Sequence, residues 1–481
     1  MQVSPFLPCV RCRMLPALQT GILRNDGNVL MRNVISVIDM GAQAGTDGNQ
    51  TTAFQKALDE VWLNGGGMVV VPEGEYRIGG LRIRSDTTLH LCSGAKLTGS
   101  RNPEDYMCLQ NEMLEPLAPE QCTDAYWEPF VEGVKRSYAF MRPGGRWSNA
   151  MIRIVNARNV TIEGESDSVI DGCDCYDEHG EEHYRGPHGI SVHGCTNIRF
   201  AGYTIQNAGN WGHCIFDTSG IEMERVTVLA GHDGIHLTSC ENVRIHNSRF
   251  CTGDDCVAGF NNIDLEVADC ELNTACSALR LGGTNVLVHK CHIFGPGKFF
   301  FRGSLSEEEK RNGARAHVPH RMNMLSMFTY YADFSVDITC QPGNIRIEDC
   351  TVEHADRFMH YNFSGSERWQ ANRPLKNITF QNISATGIKM PLLAYGSADV
   401  PLDMAMENVS ITFDPACAGI SFLHAANYAR IVLDNVSVDL SAAQALVKTW
   451  SRGGTIEMKQ VAYPGEKTVV YTEESFVCQT I

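Results

Sequence analysis

Three aspartates at a regular spacing are the residues of this sequence best suited to chemistry. Asp233 lies in HDGIHL, and Asp254 and Asp255 follow in GDDCV, so that Asp233 and Asp255 are 22 residues apart. If 22 residues is a structural period, the three carboxyl groups meet in space. Crowded carboxyl groups cannot all ionise freely, so at least one pKa must rise. Such a group can supply a general acid beside a general base.

The same interval recurs along the chain as a short phrase, in which an asparagine or similar turn residue precedes alternating apolar residues. Its successive apolar anchors are separated by 23, 22, 20 and 23 residues: Ile198, Ile221, Val243, Ile263 and Val286. Alternation with a period of two is typical of strands with one buried face. A helix-free repeat of this length predicts an all-β fold, a parallel β-helix of three-strand coils whose rungs stack ~4.8 Å apart. We expect the recurrent asparagines to form a side-chain ladder at one turn.

On such a solenoid, Asp233 and Asp255 occupy equivalent positions on adjacent coils, with Ile235 and Val257 in register. Asp254 lies beside them, so the carboxyl groups converge on one patch. This arrangement could place a general acid and a general base across a glycosidic bond. The alternatives are an aspartate ladder bonded to turn amides, or a calcium site.

The remaining segments predict how the solenoid begins and where it projects. Residues 51–63 have helical apolar spacing, with Thr51 or Thr52 as a cap, and we expect this short helix to close the N-terminal end of the core. We predict one domain over residues 31–481, preceded by an extension, residues 1–30, that is disordered or loosely packed. Projecting loops are expected near 101–148, 172–188 and 298–330, and such loops often build a binding groove.

The composition is that of an acidic globular protein. A net charge of −16 argues against general binding to nucleic acid, and the sequence lacks the long apolar run of a membrane span. The chain has 19 cysteines, which we interpret as free thiols of a cytoplasmic protein, because no apolar core of a signal peptide is evident. Secretion with disulfides is the alternative. A lone CxxC at Cys9 and Cys12 does not predict a zinc site, and we expect neither a metal nor a cofactor.

The aspartate motifs resemble those of glycoside hydrolase family 28, the polygalacturonase and rhamnogalacturonase group of right-handed parallel β-helices. DGI at Asp233 is followed one coil later by GDDC at Asp254 and Asp255, and GAKLTGSRNPEDY at 94–106 resembles early coils of bacterial members. The resemblance covers roughly residues 34–440. It implies that Asp254 is the general acid, that Asp233 and Asp255 activate water, and that the reaction inverts configuration without a metal.

Around the aspartates the sequence differs from the family pattern. Gly231 and His232 replace its Asn-Thr, and Cys276 or Ser277 occupies the position of its His-Gly. The family's Arg-Ile-Lys, which binds a uronate carboxylate, has no clear match. Trp211 could stack on a sugar or serve packing alone. The candidate substrate-binding residues are therefore His232, Trp211, Ser277, Arg280, Lys298 and Arg302, with His317, His320 and Arg321 in the following loop.

Together these features predict an inverting, exo-acting hydrolase of pectic or related oligosaccharides, including uronate-containing ones. A β-helix lyase or epimerase is a second reading, although it needs a Lys or Arg base beside calcium-binding acids. A carbohydrate-binding solenoid without catalysis is a third. The loop 173–188 could wall a subsite, bind a metal or be solvated.

Overall fold

The computed structural model describes residues 24–25, 28–29, 33–110, 146–312, 320–333, 336–363, 368–370 and 372–473. The strands Arg24–Asn25 and Asn28–Val29 form an antiparallel pair, whereas 34 further strands form one continuous sheet. Neighbouring coils pair in parallel throughout the aspartate region. The predicted parallel β-helix is therefore confirmed.

Each coil contributes one strand segment to each of three faces of this sheet. The first face contains Asn33–Ser36, Gly67–Val71, Thr87–Leu91, Arg158–Gly164, Thr196–Ala201, Ser219–Glu224, Glu241–His246, Gly343–Glu348 and Thr455–Lys459. The second contains Gly74–Ile78, Ala95–Gly99, Val169–Asp171, Thr204–Gln206, Thr227–Leu229, Arg249–Thr252, Glu271–Thr274, His292–Phe294 and Thr351–Glu353.

The third face carries the strands that follow the aspartates. It contains Leu81–Ile83, Ala150–Val155, His188–His193, His213–Phe216, Ile235–Thr238, Met324–Tyr330, Ala355–Asn362, Leu392–Tyr395, Leu423–Ala426, Val447–Thr449 and Val469–Tyr471. The long strands Val257–Ala268 and Ser277–His289 continue from the third face into the first. Asn377–Ile388, Leu402–Phe413 and Tyr428–Asp439 continue from the first into the second.

The register of the first face corrects one of the predicted anchors. Ile221 pairs with Val243 as expected, but Val243 then pairs with Leu265, and Leu265 pairs with Val286. The prediction of Ile263 was therefore wrong by two residues. Both side chains belong to the same alternating run, so the sequence pattern alone does not distinguish them.

The ladder of turn side chains explains this register. The side-chain amide of Asn197 donates to Asn159 Oδ1 at 3.1 Å, and that of Asn285 donates to Asp264 Oδ1 at 2.9 Å. Asp264, with a φ of 57°, thus holds the ladder position of its coil. Asn262, two residues earlier, is buried and instead makes hydrogen bonds with the backbone of Cys240 and Leu237. The asparagine ladder itself is as predicted.

Helix α1 (Thr51–Leu63) lies over the N-terminal end of the core, as predicted. Phe54, Leu58 and Val61 are buried against the first coils. The predicted threonine cap was wrong, because Thr51 is the first helical residue and its backbone N–H donates to Asn49 Oδ1 at 2.9 Å. A second helix, α2 (Glu307–Asn312), lies in a projecting loop. Short 3-10 helices span Val37–Met40, Pro103–Gln110, Arg146–Ser148, Glu181–His183, Arg302–Ser304 and Arg368–Gln370.

Two of the predicted loops leave the solenoid at the turn from the second face to the third. Residues 172–187 connect Val169–Asp171 to His188–His193, so the predicted loop ends one residue earlier than expected. Residues 295–323 connect His292–Phe294 to Met324–Tyr330, and the last residues of the predicted loop 298–330 are a strand. Most of the predicted loop 101–148, and most of the predicted extension 1–30, lie outside the described residues. One domain over 31–481 stays a prediction.

Two further expectations concern membranes and thiols. Within the described ranges, no helix combines the length and apolar character that crossing a bilayer requires. Fourteen cysteines of the described chain are free, and nine of them are buried. Cys195, Cys240 and Cys270 illustrate the arrangement, since each packs into the core and donates its S–H to a backbone carbonyl. These thiols act as small apolar residues of the turns.

Candidate active site

The three aspartates lie together where the chain enters the third face. Asp233 precedes the strand Ile235–Thr238, and Asp254 and Asp255 precede Val257–Ala268. Ile235 pairs with Val257, so Asp233 and Asp255 occupy equivalent positions on neighbouring rungs, as predicted. The relative exposures of Asp233, Asp254 and Asp255 are only 3%, 7% and 0%. The trio is therefore crowded and recessed from bulk solvent.

Burial is the main influence on the acidity of these groups. It raises the pKa of Asp233 well above its usual range, and the negative charge of Asp254 raises it further. The pKa of Asp254 is raised by burial and then by the charge of Asp255. Burial also raises the pKa of Asp255, but the nearby Arg280 opposes the rise. Repulsion between carboxylates, the predicted cause, thus acts in the expected direction but ranks second to desolvation.

Asp255 is held by donors from the next coil. The backbone N–H of Ser277 donates to Asp255 Oδ1 at 2.9 Å, and Arg280 Nη1 lies 3.3 Å from Asp255 Oδ2. The guanidinium of Arg280 also lies over the ring of Tyr331, 4.1 Å from its centroid. Both predicted residues, Ser277 and Arg280, therefore reach the site. Their donors favour the ionised form of Asp255.

Asp233 is held by a histidine that the sequence reasoning missed. His236 Nδ1 lies 2.8 Å from Asp233 Oδ2, and burial lowers the pKa of His236 to about 3. The ring is therefore neutral, and its Nδ1 shares one hydrogen bond with the carboxyl group of Asp233. Trp211 stacks on His236 with ring centroids 3.8 Å apart and planes within 4°. The sequence feature that could have indicated His236 is its polar side chain at an outward-facing position of the strand Ile235–Thr238.

Trp211 therefore packs against other rings of the protein and does not present an open face on which a sugar could stack. Its exposure is 5%, His236 covers one face, and Trp147 packs edge-on at 5.1 Å. Because the indole is enclosed by these rings, the packing alternative is the one that the geometry supports. Its contact with His236 fixes the orientation of the imidazole that bonds Asp233.

A second missed residue, Arg185, comes from the projecting loop 172–187. Its side chain is 8% exposed, and its guanidinium lies 3.5 Å from Asp254, 3.2 Å from Glu182 and 3.6 Å from Glu181. Burial raises the pKa of Glu181 to about 7, against the opposing charge of Arg185. The loop is thus folded onto the aspartates through an ion cluster in which Arg185 is buried and Glu182 is partly exposed. The loop lies outside the repeat, so no periodicity indicated this contact.

Cys276, one of the two candidates for the family's His-Gly position, lies against the aspartates. Its sulfur and one oxygen each of Asp254 and Asp255 all lie within 4.8 Å of one another. Burial, followed by the charges of Asp255 and Asp254, raises the pKa of this thiol well above its usual range. A protonated thiol can donate a hydrogen bond to a carboxylate but is a poor metal ligand. These atoms could hold a cation only if the thiol lost its proton.

The other predicted residues lie around the trio without contacting its carboxyl groups. Arg302 donates to the carbonyl of Ala208 at 3.0 Å and pairs with Asp174, and Lys298 Nζ lies 5.1 Å from the ring centroid of Phe294. His232, next to Asp233 in the chain, is 1% exposed.

In the loop 295–323, His320 stacks on Phe300 with ring centroids 4.5 Å apart. The guanidinium of Arg321 lies 4.0 Å from the ring centroid of Phe301. Both side chains are therefore engaged within their own loop. His317 lies outside the described residues.

Comparison with known proteins agrees with the geometry. Residues 140–277, which include all three aspartates, match the family described as "Glycosyl hydrolases family 28". A probable polygalacturonase of Vitis vinifera is 25% identical over 264 residues, covering 52% of this chain and 48% of the relative. An exo-poly-alpha-D-galacturonosidase of Dickeya chrysanthemi is 24% identical over 272 residues, covering 49% of this chain and 44% of the relative.

The fold comparison extends over most of the chain. The structure of a family 28 exopolygalacturonase of Yersinia enterocolitica superposes with a TM-score of 0.56 at 16% identity, covering 92% of this chain and 78% of that one. This likeness confirms the solenoid fold. The chain spans about half the length of the curated relatives it matches. The predicted resemblance is confirmed, because residues 140–277 of this chain are similar to the glycoside hydrolases of family 28.

Proposed function

We propose that this protein is an inverting glycoside hydrolase that acts on pectic oligosaccharides. The observation that carries the proposal is the placement of Asp233 and Asp255 on adjacent rungs with Asp254 beside them, all three buried. Buried, crowded carboxyl groups retain at least one proton near neutral pH, as a general acid requires. The match to family 28 over the aspartate segment supports the same reaction.

In the proposed mechanism, Asp254 donates its proton to the glycosidic oxygen while Asp233 and Asp255 hold the attacking water on the opposite side of the sugar. The contacts support this division. Asp255 accepts from the Ser277 N–H and lies beside Arg280, and both donors favour its ionised form. Asp233 shares a hydrogen bond with neutral His236, and the tautomer that carries the proton on Nδ1 would stabilise the Asp233 anion against the effect of burial. In an inverting reaction the water deprotonated by the base attacks the anomeric carbon as the leaving oxygen is protonated.

Substitution of each aspartate tests these roles. Asp254→Asn should reduce kcat by about 10²–10⁴-fold on natural oligosaccharides, with KM nearly unchanged. The defect should shrink for aryl glycosides, because a good leaving group needs little protonation. Asp233→Asn and Asp255→Asn should impair both substrate types alike. If Asp233→Asn instead shows the leaving-group dependence, the proton donor is Asp233.

The stereochemistry provides an independent measurement. Proton NMR early in the reaction should show the inverted anomer as the first product. A retained anomer would contradict the water-activating role of the second carboxylate. Binding of oligosaccharide without hydrolysis by the unsubstituted protein would favour the carbohydrate-binding solenoid.

The proposal also includes the exo mode of action, independence of metal ions and a cytoplasmic location. Both projecting loops approach the aspartates, since Arg185 contacts Asp254 and the carbonyl of Phe300 lies against Gly253. We propose that they restrict the site to chain ends and so produce exo action, which the product size distribution from a long oligomer would test. We also propose that catalysis needs no metal, so activity should survive exhaustive treatment with EDTA. A cytoplasmic location is supported by the buried free thiols. Cell fractionation would test it.

A further inference from the structure

A cavity lies between the two projecting loops, close to the aspartates. It has a volume of about 90 Å³, and its walls include Tyr184 from one loop and Phe299, Phe300 and Leu305 from the other. His232 also lines the cavity. None of these side chains is used by the mechanism proposed above, so the cavity needs its own explanation.

Residues that line the cavity are neighbours in sequence of the catalytic groups and of their contacts. His232 directly precedes Asp233, and Tyr184 directly precedes Arg185, whose guanidinium contacts Asp254. The loop 295–323 approaches so closely that a Cβ on Gly253 would lie 2.3 Å from the carbonyl oxygen of Phe300. A sugar whose glycosidic bond is held by the aspartates would therefore lie near this cavity, which a substituent or a neighbouring unit could reach.

The charges around the cavity are balanced within the protein. Arg302 pairs with Asp174. Lys310 Nζ lies 2.9 Å from Glu307 and 4.3 Å from the centroid of the Tyr184 ring. A carboxylate entering such a space would lose its hydration without gaining an uncommitted cation, which is costly. The cavity is consequently ill suited to the free carboxylate of a uronic acid.

Besides these charged groups, the walls offer apolar side chains and two buried polar atoms that make no hydrogen bond within the described residues, His232 Nδ1 and Tyr184 Oη. Phe299, Phe300 and Leu305 are half-buried and offer contacts to a small apolar group. His232 Nδ1 is buried and has no hydrogen-bond partner among the described residues. A ligand oxygen or hydroxyl could satisfy this nitrogen, which otherwise bears the cost of an unmade hydrogen bond. The chemistry of the walls thus matches a methyl group next to the oxygen atoms of an ester or acetyl group.

We propose that this cavity is a specificity pocket for an uncharged sugar unit that carries a methyl group, as in a methyl-esterified or O-acetylated pectic oligosaccharide. The inference rests on the proposed function and names its preferred substrate class. A single methyl group in an apolar pocket typically contributes about tenfold or more to discrimination. We therefore expect kcat/KM to be at least about tenfold higher for the methylated unit than for the free acid.

The experiment compares matched trisaccharides in the free-acid, methyl-ester and O-acetyl forms. Hydrolysis is measured with the unsubstituted protein, and binding is measured separately by calorimetry with Asp254→Asn. Leu305→Arg places an uncommitted cation in the cavity and should shift the preference toward the free acid. Leu63→Arg, at a leucine that is 70% exposed on helix α1, is the matched control and should leave the preference unchanged. Comparison of the ester with the acetyl form identifies the source of the methyl group.

The possible outcomes distinguish a failure of the proposed pocket from a failure of the proposed reaction. Preference for a methylated form, abolished or reversed by Leu305→Arg, would support the pocket. Hydrolysis without preference, or preference for the free acid that Leu305→Arg leaves unchanged, would overturn the pocket while the hydrolase stands. Absence of hydrolysis combined with selective binding of the methylated form by Asp254→Asn would overturn the proposed reaction and retain the pocket.

Discussion

The guanidinium of Arg185 lies 3.5 Å from the carboxyl group of Asp254, in a cluster that also contains Glu181 and Glu182. A cation beside a general acid favours loss of its proton, so Arg185 would weaken the acid if it acted alone. The two glutamates counter its charge. The loop 172–187 thereby does more than wall the site, because it sets the electrostatic environment of the proposed proton donor.

Removal of this cation should move the pH dependence of the reaction. In Arg185→Met the pKa of Asp254 should rise, because its opposite charge is gone. The basic limb of kcat/KM, where Asp254 loses its proton, should shift upward by about one pH unit. Arg185→Lys keeps the charge and should leave the limb near its original position. Arg430→Met, at an exposed ion pair with Glu457, is a control for loss of a surface arginine, and an unmoved limb in Arg185→Met would contradict the idea.

The pKa of Glu181, raised by burial to about 7, couples folding stability to pH. Because the folded state holds this proton more tightly than the unfolded state, the contribution of Glu181 to stability is greatest below about pH 4.5 and is lost as the pH rises through about 7. Glu181→Gln should remove this decline and stabilise the protein at pH 7.5 by about 3 kcal/mol. Urea denaturation at several pH values measures the effect. The exposed Glu241→Gln should leave the profile unchanged, and equal slopes for Glu181→Gln and the unsubstituted protein would count against the assignment.

The bond between His236 and Asp233 should matter for rate rather than for the shape of the pH profile. His236→Ala leaves a buried carboxylate without its donor and should lower kcat about 10–100-fold, because a hydrogen bond to a charged group contributes ~1.5–3 kcal/mol. His236→Asn can donate again and should recover part of the rate. Since burial lowers the pKa of His236 to about 3, its removal should delete no limb above pH 4. Loss of such a limb would mean that the imidazole titrates during catalysis.

The corrected register of the first face can be measured with a matched pair of substitutions. Leu265 is 1% exposed within the core, so Leu265→Ala should destabilise the protein by about 2–5 kcal/mol. Ile263, half-buried outside the core cluster, should cost clearly less when changed to alanine. Chemical denaturation of both variants decides the point. Equal losses, or a larger loss at Ile263, would restore the originally predicted anchor.

The thiols offer a chemical test of the fold. Fourteen described cysteines are free, so titration of the denatured, unreduced protein should detect at least 14 thiols among the 19 cysteines of the chain. Before denaturation, Cys276 should react slowly with alkylating reagents, because its raised pKa leaves little thiolate. Fewer than 14 thiols, or rapid alkylation of Cys276, would disagree with the structure.

The sequence by itself determined the solenoid and the meeting of the three aspartates. A period of about 22 residues is encoded locally by the turn asparagines and the alternating apolar side chains. Because similar coils stack on one another, residues that are one period apart in the sequence lie on adjacent rungs. The rungs of Asp233 and Asp255 therefore followed from spacing alone, whereas Ser277 and Arg280 became candidates through comparison with the family pattern. Even here, the choice between Ile263 and Leu265 depended on which side chain, Asn262 or Asp264, entered the ladder.

Only the tertiary structure decided what surrounds the aspartates. Arg185 and Glu181 belong to a projecting loop without periodicity, so no local pattern indicates which rung the loop folds against. The enclosure of Trp211 by His236 and Trp147 likewise depends on contacts between coils. Burial, which dominates the acidity of the trio, is a property of the assembled loops and coils. For that physical reason, the sequence predicted that the carboxyl groups would be close, but not that desolvation would outweigh their mutual repulsion.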